Sequence, residues 1–394
     1  MQKIKDYTGH ILPFLIISLL VSDFITSMVY KLSLSPFYRY SGYFKLFFEI
    51  IMVAVIVYNF KSLSKLHKVV LGLFLVFIAS QLLGYSNAYD FSYHISTGNI
   101  YFFNRYIYIL IFILFLNTIN PSIQSYRKAY KYLEGLLFFN CLAISIGILF
   151  GVDVFKSYEY TARFGYAGLF SKPEEAAFIY CIAIIYNYYF WVLKKSRTHF
   201  LKTLLFIIVI LLLGQKKMFL FVCLLLCAHL VYETNHKKIF RVLILFSSLV
   251  VLFFRTQIAT FIFGSSPFWS RVYIENGFLS TITSNRDQLL KLAISHIREN
   301  WNIANYVFGG VDFNKYKVEF EVVDLYIFLG ISGVFFYVYL LRNHFLKESN
   351  NLKTRLVIIL FLTSFFGGGL LLSITATLLF YIVINKVMVT NHNA

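Results

Sequence analysis

The chain has 394 residues, 59% of them hydrophobic and only 14% charged, with a mean hydropathy of +0.71. Ordinary globular domains carry about 25% charged residues, so a water-soluble fold hiding this much apolar surface is excluded. The formal charge of +18 would point to nucleic acid in a soluble protein; here the excess lies in loops between apolar runs, so it reads as membrane topology, with an anionic phosphate-bearing substrate as a second reason and no nucleic-acid partner.

The apolar runs do not alternate polar and apolar residues as barrel strands would. Backbone groups in lipid must be paired within their own segment, so an all-α polytopic membrane protein is expected, a single integral membrane domain over residues 1–394. In chain order the expected spans are 10–30, 43–60, 68–85, 100–119, 132–151, 174–193, 200–213, 217–232, 239–263, 322–342 and 356–388. No cleavage site follows the first run, which is therefore expected to be retained. The last is too long for one untilted helix, and Gly367, Gly368 and Gly369 can divide it. About twelve transmembrane helices result, with eleven as the alternative.

Lys and Arg set the orientation. With the N-terminus cytoplasmic, the basic loops 61–68, 125–131, 194–199, 236–241 and 342–355 all fall inside, and 85–99, which has no Lys or Arg, falls outside. Loops 152–173 and 264–320 and the turn around Lys216 are then outside too. Two sets of cations break the rule there: Arg163, and Lys216 with Lys217. The bland reading is pairing with Glu159, Glu174 or Glu175, or snorkelling to headgroups.

Asp23, Glu49, Arg105 and Arg255 lie within spans, where an ionisable group needs a partner or water. Asp23 and Arg255 sit toward outer ends and can reach water; Lys45 is one turn from Glu49 and can pair with it. Cys141, Cys181, Cys223 and Cys227 lie in apolar runs and read as buried, inert thiols. Cys223 and Cys227 share a helix face, but no His or acid accompanies them at metal-ligand spacing.

The longest polar excursion, 264–320, is the expected extracytoplasmic loop, containing short helices; structureless loops of such length without a function are uncommon. Ser284 can cap a helix starting at Asn285, with Asp287 at the capping-box position. Leu289, Leu290, Ala293, Ile294 and Ile297 form one apolar stripe. Arg286 falls in the first turn, where free N–H groups and the dipole suit a phosphate; the plain alternative is a solvated arginine. His296 is the one histidine of the loop, a possible base. Glu321 and Asp324 are three apart and share a face at the start of the next span, with Glu319 two residues earlier. They can cap the helix, or the pair can hold one carboxylate as a base. Gly330 and Gly333 read as packing positions.

Five segments together resemble the O-antigen polymerase and ligase superfamily of bacterial cell-envelope proteins: RFGYAGLFSKPEEAAF (163–178), LLLGQKKMFLF (211–221), SNRDQLLKLAISHI through VFGG (284–310), EFEVVDLYIFLGISG (319–333) and SFFGGGLLLS (364–373). Ligases of that family place His at the head of the closing motif, where this chain has Glu319, and a late His is replaced by Gly368; the acidic head is similar to that of capsule and exopolysaccharide polymerases. The resemblance implies residence in the bacterial cytoplasmic membrane and a polymerase that joins undecaprenyl-pyrophosphate-linked oligosaccharide units on its outer face. It implies no cofactor and no metal. Arg163, Arg286 and one of Lys216 or Lys217 would hold the pyrophosphate. Glu321 or Asp324 would orient or deprotonate the acceptor hydroxyl, with Glu319 and His296 as further candidates. Tyr160, Tyr166, Trp269 and Trp301 could stack on sugars or anchor at the interface. Membrane lipid, a chain-length regulator and a flippase are the expected partners. A ligase-type glycan transferase and, from another class, a lipid-linked oligosaccharide flippase or transporter remain alternatives; a flippase calls for an internal repeat, and none is clear.

Overall fold

The computed structural model describes residues 2–35, 39–86, 93–158, 163–235, 237–254, 257, 260, 267–346 and 350–388. It is all-helical, at 83% helix. Among the described residues no strand forms, and Lys156 and Tyr166 make an isolated antiparallel bridge. The first six helices are α1 (Gln2–Lys31), α2 (Tyr40–Tyr58), α3 (Lys65–Ser86), α4 (Tyr93–Ile119), α5 (Ile123–Phe150) and α6 (Pro173–Lys194). They are followed by α7 (Arg197–Leu212), α8 (Lys216–Ala228), α9 (Lys237–Phe253), α10 (Pro267–Thr283), α11 (Arg286–Asn300) and α12 (Ile303–Phe308). The last four are α13 (Phe313–Tyr316), α14 (Glu321–Leu340), α15 (Asn351–Gly367) and α16 (Ile374–Ile382).

Among the described residues, seven helices are long and apolar enough to cross a membrane: α1 to α6, and α14 continued to Phe345. That is the architecture of a polytopic membrane protein, with fewer full-length spans than the twelve expected. The expected spans at 200–213 and 217–232 correspond to α7 and to α8 continued by a π-helical turn to Glu233, with the expected turn between them at Gly214. The 16 residues of α7 reach about 24 Å at 1.5 Å per residue, short of a hydrocarbon core of about 30 Å. The 356–388 run does break at its glycines, into α15 and α16. Most of the end of the expected 239–263 span lies outside the described residues.

Packing places α6 at the centre, 78% buried, against α7 and α16. By contrast α2 and α3 are 28% and 22% buried, so their apolar faces look outward. α1 packs on α5 and α2, α4 on α2 and α3, α12 on α14, and α8 on α15. Local chemistry sets the helix ends. Ser122 caps α5 by accepting from the Ser125 N–H at 3.2 Å. Pro173 opens α6, where its missing N–H costs nothing, and Glu174 and Glu175 follow in the first turn. Gly330 interrupts α14 with φ 64°, and the Val307 backbone of α12 occupies the place a side chain would need. This is a close approach, as expected of Gly330, but achieved through a kink.

The ionisable residues within spans are paired differently from expectation. Asp23 is buried and accepts from Lys45 at 3.0 Å, from Thr375 at 3.1 Å and from the Ser41 hydroxyl. Lys45 also meets Glu175 at 3.4 Å. Glu49 instead accepts from Asn104 at 2.8 Å. A buried carboxylate demands a cation or donors, and α1, α2, α6 and α16 converge to supply them. Arg105 lies 4.3 Å over the Tyr101 ring; Arg255 is outside the described residues. All four cysteines are free; Cys141 and Cys181 are buried as expected, whereas Cys223 is exposed and Cys227 half-buried.

Candidate functional site

Four segments distant in sequence meet at one end of α6: the strip leading from Arg163 into α6, the turn between α7 and α8, the junction of α10 with α11, and the turn between α15 and α16. The first two are joined by a main-chain hydrogen bond from Tyr166 N–H to Leu212 O at 2.8 Å, and the Ser157 hydroxyl donates to Leu213 O at 3.1 Å. Gly214, at φ 73°, makes this possible, since a Cβ there would collide with the Phe164 carbonyl.

Arg163 and Lys216 are thereby brought to a shared aromatic ring. The Arg163 guanidinium lies 4.0 Å from the Tyr158 ring centroid and 5.1 Å from that of Trp269, and donates to the Tyr158 hydroxyl at 3.1 Å. Lys216 Nζ sits 2.9 Å from the centroid of Trp269 and donates to the Thr281 carbonyl. Burial, then repulsion from Arg163 and Arg286, holds the Lys216 amine down to about 7. Burial pushes the Tyr158 phenol up, more than Arg163 and Arg286 pull it down. Both groups therefore lie within electrostatic reach of Arg163 and Arg286.

Arg286 begins α11. Its cap differs from expectation. Asn285 and Ser284 both adopt left-handed backbone, and neither caps through its side chain. Asp287 reaches back instead, accepting from Ser280 at 2.6 Å and Thr283 at 3.0 Å, and so ties α11 to α10. Arg286 donates to Glu319 Oε2 through Nε at 3.3 Å and Nη2 at 3.2 Å, and to the Phe366 carbonyl at 3.4 Å. Glu319, its side chain 39% exposed, also lies 3.8 Å from Lys317.

The two lysines at the α7–α8 turn have different tasks. Lys217 is buried, with its Nζ 3.2 Å from the Gly368 carbonyl, 3.5 Å from that of Gly367 and 4.4 Å from the Phe178 ring centroid. It fastens the α15–α16 turn, while Lys216 faces the arginines. Glu174, exposed at the start of α6, stands within Coulomb range of Lys217, Lys317, Arg286 and Lys172. Its carboxylate and the Lys217 ammonium both border Gly369.

Glu321 and Asp324, expected as the acids serving an acceptor, are each 1% exposed and bound to main chain. Glu321 accepts from the N–H groups of Leu370 and Leu371 at 2.9 and 2.8 Å and from Ser364 at 2.7 Å. Asp324 accepts from the N–H groups of Val318 and Glu319 at 2.7 and 3.2 Å. Turns entering a buried helix end carry donors that must be satisfied, and these carboxylates satisfy them. His296 is stacked on Tyr316 with ring centroids 4.0 Å apart and bonded to Asn300; burial and Lys315 lower its pKa. Trp301 packs on Tyr306 and Tyr326, Tyr166 packs on Phe164, and Glu159 and Tyr160 are outside the described residues.

Two residues escaped the sequence reading. Glu174 was legible only as a partner for Arg163 or for Lys216 and Lys217. Gln215, beside Lys216, is 5% exposed, and neither atom of its amide has a partner among the described residues. Its place in the GQKK turn was a signal, but burial of an amide is not visible in sequence. Comparison with family models, curated proteins and solved structures finds no match to this chain.

Proposed function

We propose that the chain is a polysaccharide polymerase that transfers a growing glycan from a polyprenyl pyrophosphate carrier to the hydroxyl of a second lipid-linked unit on the outer face of the bacterial cytoplasmic membrane. The observation that carries the reading is the meeting of Arg163 and Lys216 at Trp269, with Arg286, held by Glu319, within electrostatic reach of Lys216. The acceptor oxygen attacks the donor's anomeric carbon, the bond from that carbon to the pyrophosphate breaks, and its electron pair stays on the lipid diphosphate. Fixed cations stabilise that developing charge. Arginine forks suit phosphate oxygens, and Trp269 holds Arg163 and Lys216 side by side. Glu174, the exposed carboxylate beside the cations, is placed to take the proton of the acceptor hydroxyl. Glu321 and Asp324 shape the turns. Glu319 holds Arg286 until phosphate displaces it. In this reading the remaining short helices complete a twelve-span bundle, with 264–320 outside.

Deleting the protein tests the assignment. Single repeat units on the carrier lipid should then accumulate at the outer face. Units trapped at the cytoplasmic face would support a flippase instead, and long chains persisting on the carrier would support a ligase-type transferase.

A further inference from the structure

Where α5 and α7 begin, a helix length from the arginine cluster, a cavity of about 250 Å³ is lined by Arg127, Tyr130, Lys131, Glu134, His199 and Lys202, among others. Its polar side is a closed network. Lys202 meets Glu134 at 2.5 Å. Asn187 donates to the Tyr130 hydroxyl at 3.0 Å and to Glu134 at 3.4 Å, and its carbonyl oxygen lies 2.8 Å from His199 Nδ1. The carboxylate of the cavity is thus already engaged. Arg127 and Lys131, one turn apart on α5 and therefore on one face, are exposed and have no ion-pair or hydrogen-bond partner among the described residues. Two uncommitted cations at the mouth of a preformed cavity call for an anion.

Size and surroundings narrow the anion. Pockets for drug-sized ligands run from about 300 to 1,000 Å³, so this cavity has the size of a phosphodiester headgroup. The flanks are apolar. Leu142 on α5 and Leu205 on α7, further along the two helices toward their middle, are exposed. A free phosphate would have no use for that surface, whereas acyl chains would lie along it. We propose that the cavity binds the headgroup of an anionic phospholipid in the leaflet opposite the Arg163–Arg286 site, with Arg127 and Lys131 on its phosphate. Basic recesses between membrane helices commonly take such lipids. The inference is independent of the reading of the other site.

The test is lipid retention by the purified full-length protein, with phosphatidylglycerol and phosphatidylcholine titrated in detergent and bound copies counted by native mass spectrometry. Wild type should retain phosphatidylglycerol selectively. Arg127→Gln with Lys131→Gln, both exposed positions, should weaken it by about thirtyfold, as loss of two surface charges implies. Arg127→Lys with Lys131→Arg keeps both charges and should retain the lipid, which separates a charge effect from damage to the fold. Equal retention of the two lipids, or undiminished phosphatidylglycerol in the Gln variant, overturns the site. Inorganic phosphate at millimolar concentration should not displace the lipid; displacement by it would reassign the cavity to a soluble anion.

Discussion

Lys216 has an amine whose charge depends on its company. An ordinary lysine titrates near 10.5; this one is held to about 7 by burial, then by Arg163 and Arg286. Below pH 7 it is already charged and joins the arginines in binding an anion. Above pH 7 the free site holds a neutral amine, and binding must draw in a proton. Affinity for a pyrophosphate diester, whose own charges are fixed across this range, should therefore fall as pH rises from 7 to 9, by up to about tenfold per unit. Calorimetry at pH 8 in two buffers of different ionisation enthalpy should show proton uptake. Lys216→Arg should flatten the profile, because arginine stays charged. A flat profile in the wild type would mean that the amine does not face the ligand.

At the scale of elements, the turn between α15 and α16 is the meeting point. Lys217 and Arg286 cap its carbonyls, Glu321 caps its N–H groups, and Gly368, at φ 62°, lets the Glu319 backbone lie against it. Removing a buried acceptor strands its donors, at about 1–3 kcal/mol each. Glu321→Ala should thus lower the thermal midpoint sharply. Glu321→Gln keeps an acceptor oxygen and should stay folded with transferase activity still measurable. A folded but inactive Gln variant would return Glu321 to the role of a base. Glu321 and Asp324 were legible because a spacing of three places both on one face of α14, and they do share that end of the helix. Spacing carries no information about which turn the face meets, so their engagement with the N–H groups of residues 318, 319, 370 and 371 was not legible. Arg286 was legible for the opposite reason: its place in a first turn is a property of its own helix, even though the cap fell one residue later than expected. Its partner Glu319 was not, because that contact joins positions 33 residues apart.

For the whole molecule, hydropathy made the membrane class and α1 to α6 readable. The turns that separate α7 from α8 and α15 from α16 were legible in the polar GQKK stretch and in the glycines at 367–369. The start of α15 at Asn351 was not, because its first turn is polar. The sidedness inferred from Lys and Arg makes its own prediction. In a variant without the four native thiols, Cys introduced at Lys172 or Lys315 should react with a membrane-impermeant reagent added to intact cells. Cys at Ser62 or Thr198 should react only after lysis; the reverse pattern would invert the topology. The central claim, that cations remote in sequence grip one diphosphate, is tested most directly by a double-mutant cycle. The affinity for a short-chain isoprenyl pyrophosphoryl oligosaccharide is measured in wild type, Arg163→Gln, Arg286→Gln and the double variant. Each single change should weaken binding by about tenfold or more, as expected for a charged hydrogen bond, and the double should fall well short of the product of the two, since residues sharing a ligand couple. Unchanged affinity in either single variant, or strictly multiplicative losses, would contradict a shared grip.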